Sequence, residues 1–89
     1  MIYEWDEAKR RDTMEQRSID FADLNHFEWD TAIHRRSDRQ GEVRWASLGY
    51  ISGRLHHVVW TERGDNVRIV SLRVASVRER RDYEHARGR

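Results

Sequence analysis

The chain has 89 residues, of which 37% are apolar and 37% charged, which excludes a multi-domain assembly and predicts one domain, residues 1–89, with a thin core built on four Trp, three Tyr and two Phe. With no Cys, disulfide frameworks, thiol nucleophiles and thiolate metal sites are excluded. Net charge is only +1, yet residues 1–34 carry 4 Lys or Arg against 9 Asp or Glu while residues 35–89 carry 13 Arg against 7 Asp or Glu, which points to a basic surface for a polyanion, an internal match between the halves, or both.

At the start, Met1-Ile2-Tyr3-Glu4-Trp5-Asp6 lacks the basic and apolar parts of a signal peptide. No stretch approaches the roughly 18 to 20 consecutive apolar residues of a membrane span. A soluble, cytoplasmic protein without membrane contact is expected. Asp6 can cap a helix through Glu7 to Glu15, a polar run whose apolar handles are Ala8 and Met14. Asp20 starts a second short helix, Phe21 to Phe27, in which Phe21, Leu24 and Phe27 make an apolar stripe for the core.

From Thr31 the pattern changes to period two. Thr31 to Arg35 reads as a short strand and Ser37 to Gly41 as a polar loop. Three strands follow, Val43 to Ile51, Arg54 to Glu62 and Asn66 to Val74, joined by Ser52-Gly53 and by Arg63-Gly64-Asp65. Both links suit hairpins, so an antiparallel meander is expected. Ser76-Val77-Arg78-Glu79 matches a capping box, after which Arg80 to Ala86 continues a last helix until Gly88. The predicted class is α+β: a small antiparallel sheet with two N-terminal helices and one C-terminal helix, the helices on one face and the other face free. Trp5, Trp45 and Trp60 are expected in the core, and Trp29, near a helix end, at a partner contact.

Several stretches together resemble one family. They are Trp5-Asp6-Glu7-Ala8-Lys9, Phe21, Gly41-Glu42-Val43-Arg44, Thr61-Glu62-Arg63-Gly64-Asp65, Arg68 to Ala75, Glu79-Arg80 and Tyr83. In order and spacing they are similar to the BrnT toxins of bacterial toxin–antitoxin pairs, whose fold is similar to the RelE-type endoribonucleases. The resemblance implies a RelE-like, RNA-cleaving toxin that inhibits translation. It also implies neutralisation by a BrnA-type antitoxin, through which alone the complex would reach operator DNA. One stretch departs from the family: its first helix usually runs into Asn-x-x-Lys-His-Gly, and here Thr13 is followed by Gln16-Arg17-Ser18. The missing His leaves a second reading, a member without chemistry that binds RNA or antitoxin and acts mainly in operon autoregulation. A repressor reading is weaker, because no ribbon-helix-helix or helix-turn-helix pattern is present.

RNA cleavage by the ribose 2′-hydroxyl needs a base, an acid for the leaving 5′ oxygen and cations for the phosphorane, with no cofactor and no metal. Of the 17 basic residues only Lys9 is not Arg. The guanidinium fork suits phosphate, although codon bias in a GC-rich genome produces the same composition. Period two places Arg73 and Ser71 on the side of Val67 and Ile69, and Arg68 with Val70 and Leu72. Arg68 and Arg73 therefore reach one site only if the strand is bulged. Arg73, at the strand end, is the candidate for transition-state charge, with a structural salt bridge as the plain alternative.

On the last helix Glu79, Arg80 and Tyr83 share a face. Tyr83 is a candidate proton donor or base-stacking group, or else an anchor of the helix, and Glu79 is a candidate catalytic group or simply the third residue of the capping box. His57, on a strand face with Leu55, Val59 and Thr61, is the candidate acid or base; His56 faces the other way, and His26, His34 and His85 are weaker. Lys9, Arg44, Arg63, Arg68 and Arg80 are expected along the RNA backbone. Two His side by side on a strand face opposite ways, and no His-x-x-x-His pair is present, so no metal site is predicted.

Overall fold

The computed structural model describes residues 1–88. A five-stranded sheet has the order β1-β5-β4-β3-β2, with β1 (Ile2–Trp5), β2 (Ile33–Arg36), β3 (Trp45–Ile51), β4 (Arg54–Arg63) and β5 (Asn66–Val74). The last three strands form the expected antiparallel meander, and β2 extends it by pairing antiparallel with β3. The first was not anticipated. It pairs parallel with β5, Tyr3 opposite Val67 and Trp5 opposite Ile69. Its four residues return to a strand more than sixty positions away, and no turn motif signals such a pairing.

Helix α1 (Glu7–Arg17) is capped by Asp6, whose carboxylate accepts from the amides of Ala8 at 2.8 Å and Lys9 at 3.3 Å. Helix α2 (Val77–Ala86) starts at the predicted box: Ser76 Oγ accepts from the Glu79 amide at 3.1 Å, and the Glu79 carboxylate accepts from the Ser76 amide at 2.8 Å. The second expected helix is instead a 3-10 helix, Phe21–His26, capped by Asp20, with a further 3-10 turn at Trp29–Thr31. The Asp20 cap and Asp23 bond each other's backbone, a local arrangement that competes with a longer α-helix. Among the described residues no helix is long and apolar enough to cross a membrane.

Helical segments cover both faces of the sheet, not one. Phe21, Leu24 and Phe27 pack with Ile51, Val58, Ile69 and Leu72 on the first face. Ala75 and Tyr83 pack with Leu48 and Leu55 on the second. The odd spacings Leu48 to Ile51 and Leu55 to Val58 are what send each pair to opposite sides of a strand. Helix α1 buries none of its residues. It lies along the edge of β5 beyond the end of β1, where Lys9 Nζ donates to the Val70 carbonyl at 3.4 Å and Arg17 donates to the Leu72 carbonyl at 3.1 Å. The polar composition of α1 thus serves to satisfy an unpaired strand edge.

Strand β5 carries a bulge. Val59 faces Ser71 and Trp60 faces Ile69, so Val70 is the extra residue. Alternation changes phase there, which explains why Ile69 and Leu72, three apart, both lie in the first-face core at 1% and 0% exposure. Arg68 and Arg73 consequently share the second face. The first face also gathers the indoles. Trp29 meets Trp60 edge to face at 5.4 Å, Trp45 stacks near Trp60 at 6.2 Å, and Trp5 meets Phe21 at 6.1 Å. Trp29, expected at a partner contact, packs against this core and donates its N–H to the Tyr3 hydroxyl at 2.7 Å.

Gly49 of β3 faces the Phe27 ring, and a Cβ there would collide with three ring carbons. Gly49→Ala is expected to destabilise the protein by about 1 to 3 kcal/mol through overpacking. A lowered urea midpoint at unchanged slope measures it, and an unchanged midpoint would show that the ring is free to shift.

Candidate functional site

The N-terminus of α2 sits over the end of β5, and one ion pair holds it there. Arg73 donates through Nη1 to Glu79 Oε1 at 2.7 Å and through Nη2 to Oε2 at 2.8 Å, a two-pronged pairing. Because Glu79 also closes the capping box, the helix start and the strand end share one carboxylate. The Arg73 guanidinium, helped by the Ser76 amide, draws the Glu79 pKa down to about 2 against the opposing effect of burial. Glu79 in turn raises that of Arg73.

His57 faces Arg73 across the β4–β5 ladder, and its Nε2 lies 3.8 Å from Glu79 Oε2. Burial lowers its pKa below the ordinary 6.5, the neighbouring Arg73 charge lowers it further, and Glu79 offsets this in part. The ring is therefore neutral at pH 7, and the 3.8 Å approach is not an ion pair in that state. Its Nδ1 is buried with no hydrogen-bond partner among the described residues. A cavity of about 350 Å³ opens beside it, lined by His57, Glu79, Arg35, Arg78, Asp82 and Leu48 among others. Both oxygens of Glu79 are committed to Arg73, which leaves Arg35 and Arg78 against Asp82 around the opening. Such a lining suits an anion better than a divalent cation.

Of the predicted catalytic residues, Arg73, Glu79 and His57 come together and Tyr83 does not join them. Tyr83 is 7% exposed, packs edge to face on Tyr50 at 5.5 Å and donates its hydroxyl to the Thr31 carbonyl at 2.9 Å. That makes it the anchor of α2. Arg80 is exposed and its side chain reaches the Ala75 carbonyl at 3.5 Å. The other four predicted backbone contacts, Lys9, Arg44, Arg63 and Arg68, line one shallow cleft at the far end of the same sheet face. Arg35 and Arg78 line the cavity and were missed. The signal for Arg35 was its alternation with Ile33, which faces Leu48 in register; for Arg78 it was the four-residue spacing to Asp82, which also lines the opening. Among the described residues no group of three His, Asp or Glu side chains is placed to hold a metal ion.

A family model described as "Ribonuclease toxin, BrnT, of type II toxin-antitoxin system" matches residues 5–79. No curated protein and no solved structure matched the chain.

The Glu79 pairing makes stability depend on pH with a defined sign. A carboxyl whose folded pKa, about 2, lies below its ordinary 4.5 contributes stability that is complete above 4.5 and is lost as pH falls toward 2. Glu79→Gln is therefore expected to lower the urea midpoint at pH 7, with the difference from wild type shrinking below pH 4.5. A difference independent of pH would show that the Arg73 ion pair is not its source, since the Gln carbonyl can still close the capping box.

Proposed function

Because the chain belongs to the BrnT family of ribonuclease toxins of type II toxin–antitoxin systems, we propose that it is a metal-independent endoribonuclease whose reaction takes place in the cavity beside His57. The observation that carries this reading is the His57 imidazole placed opposite Arg73 and 3.8 Å from Glu79, at the wall of the cavity. His57 takes the proton of the ribose 2′-hydroxyl, and the oxygen attacks the adjacent phosphorus. Arg73, with Arg35 and Arg78 at the rim, offsets the added negative charge of the phosphorane. Two of the five N–H groups of Arg73 are given to Glu79 and a third to the Val74 carbonyl at 3.4 Å, and the other two can turn to the phosphate. Glu79 stabilises the imidazolium once it forms, and the imidazolium returns its proton to the departing 5′ oxygen. The products are a 2′,3′-cyclic phosphate and a 5′-hydroxyl.

Family membership implies an antitoxin partner. We read it as a BrnA-type protein whose DNA-binding part alone brings the complex to its operator. In the same reading the fold is RelE-like, and cleavage of RNA in the cytoplasm inhibits translation. A binder without chemistry is the second reading. It is favoured by Gln16-Arg17-Ser18, where relatives place a His, and by the engagement of Arg17 with the Leu72 carbonyl.

The test is incubation of the partner-free chain with labelled single-stranded RNA in EDTA. Cyclic-phosphate ends are expected, with cleavage reduced at least about 100-fold in His57→Ala and in Arg73→Ala. Cleavage that requires added magnesium would overturn metal independence, and intact RNA that stays bound would favour the second reading. Tyr83→Phe is expected to keep the cleavage rate within a few-fold while losing about 1 kcal/mol of stability, the worth of its hydrogen bond to Thr31. A large rate loss without destabilisation would return Tyr83 to the chemistry.

A further inference from the structure

The second sheet face has cations at both ends and short side chains between them. Ser71 of β5, Val59 of β4 and Ala46 of β3 stand side by side in register, one step from the row that holds Arg73 and His57. Beyond this floor Lys9, Arg44, Arg63 and Arg68 line a cleft of about 160 Å³. The geometry points to this cleft as a second phosphate subsite, holding a different phosphodiester of the same RNA strand that is cut beside His57. The inference rests on the proposed reading of the cavity and adds to it where the uncut part of the strand lies.

Three observations support it. The Val70 bulge puts Arg68 on the face of Arg73, so the two ends form one path rather than two sites on opposite faces. From His57 to Thr61, which lines the cleft, β4 advances four residues, or roughly 13 Å. That exceeds hydrogen-bond reach about a single phosphate, so the clusters must contact different ones. Finally, the charge of the cleft is only loosely neutralised.

Arg63 and Arg68 share the single oxygen Glu4 Oε1, at 3.8 and 3.5 Å, whereas the Arg73–Glu79 contacts are 2.7 and 2.8 Å. Arg44 holds Glu42 at 3.0 Å, and Asp6 is occupied with capping α1. Among the described residues Lys9 has a carbonyl and no carboxylate as its partner. Arg63 and Arg68 can exchange Glu4 for a phosphate with little loss, because the two compete for one carboxylate. The floor of Ala46, Val59 and Ser71 leaves the path between the ends open.

Fully 2′-O-methylated oligouridylates of two and six nucleotides, which bind but cannot be cut, test the subsite by fluorescence anisotropy. Wild type is expected to bind the longer strand at least about tenfold more tightly, with a steeper salt dependence. In Arg44→Ala/Arg68→Ala the ratio of the two affinities should fall to near one. Arg44→Glu, which leaves the Arg68–Glu4 contact in place, should lower the same ratio and guards against a folding defect in the double variant. An unchanged ratio in both variants would overturn the proposal, as would the absence of a length effect in wild type. An acidic peptide that displaces the longer strand at lower concentration than unlabelled RNA would also overturn it. If the length effect behaves as expected while no RNA is cut in the cleavage assay, the subsite stands and the cavity reading falls.

Discussion

The Arg73–Glu79 pair is the contact on which the second half of the chain depends. It joins the last strand to the last helix, completes the hydrogen bonds of the helix N-terminus and sets the field around His57. A pair this well aligned, with side chains only 38% and 21% exposed, resists screening better than a surface ion pair. Through it α2 is held over Leu48 and Leu55, and the cavity acquires its far wall. Stability and cavity geometry therefore rest on the same two side chains.

Much of the fold was legible because its signals are local. Alternation marked the three long strands, Gly-containing links marked the hairpins, and Ser76 with Glu79 marked the start of α2. What sequence reasoning missed depends on distant partners. The parallel pairing of Ile2–Trp5 with Asn66–Ile69 has no local signature. The Val70 bulge shows in sequence only as an alternation that stops working, and it reversed the expected separation of Arg68 from Arg73. The meeting of His57, Arg73 and Glu79 was partly legible, since each was a candidate on its own. Tyr83 looked equally eligible because helical spacing gives its face but not the carbonyl of Thr31 waiting behind it.

The charge asymmetry between the halves resolves in part as an internal match. Glu4 of the acidic half receives Arg63, Arg68 and the Asn66 amide from the basic half, tying the first strand to the last across the parallel pair. Burial of Trp5 and Tyr3 against the first-face core adds the apolar part of the same junction. Other acidic groups are used within their own half, Asp20 by Arg10 and Asp6 by α1, so the first half is not simply a counter-charge for the second.

The tryptophans have a bearing on how this molecule can be watched. All four indoles belong to the face that carries the Phe21 and Phe27 core, while His57 and Arg73 belong to the other. Trp29, Trp45 and Trp60 are close enough to exchange excitation, and their emission reports the integrity of that aromatic layer. Intrinsic fluorescence is thus a sensitive gauge of unfolding and a nearly blind one for a ligand in the cavity. An optical probe for that side of the sheet has to be introduced there, for example an indole in place of Val59 on the open floor.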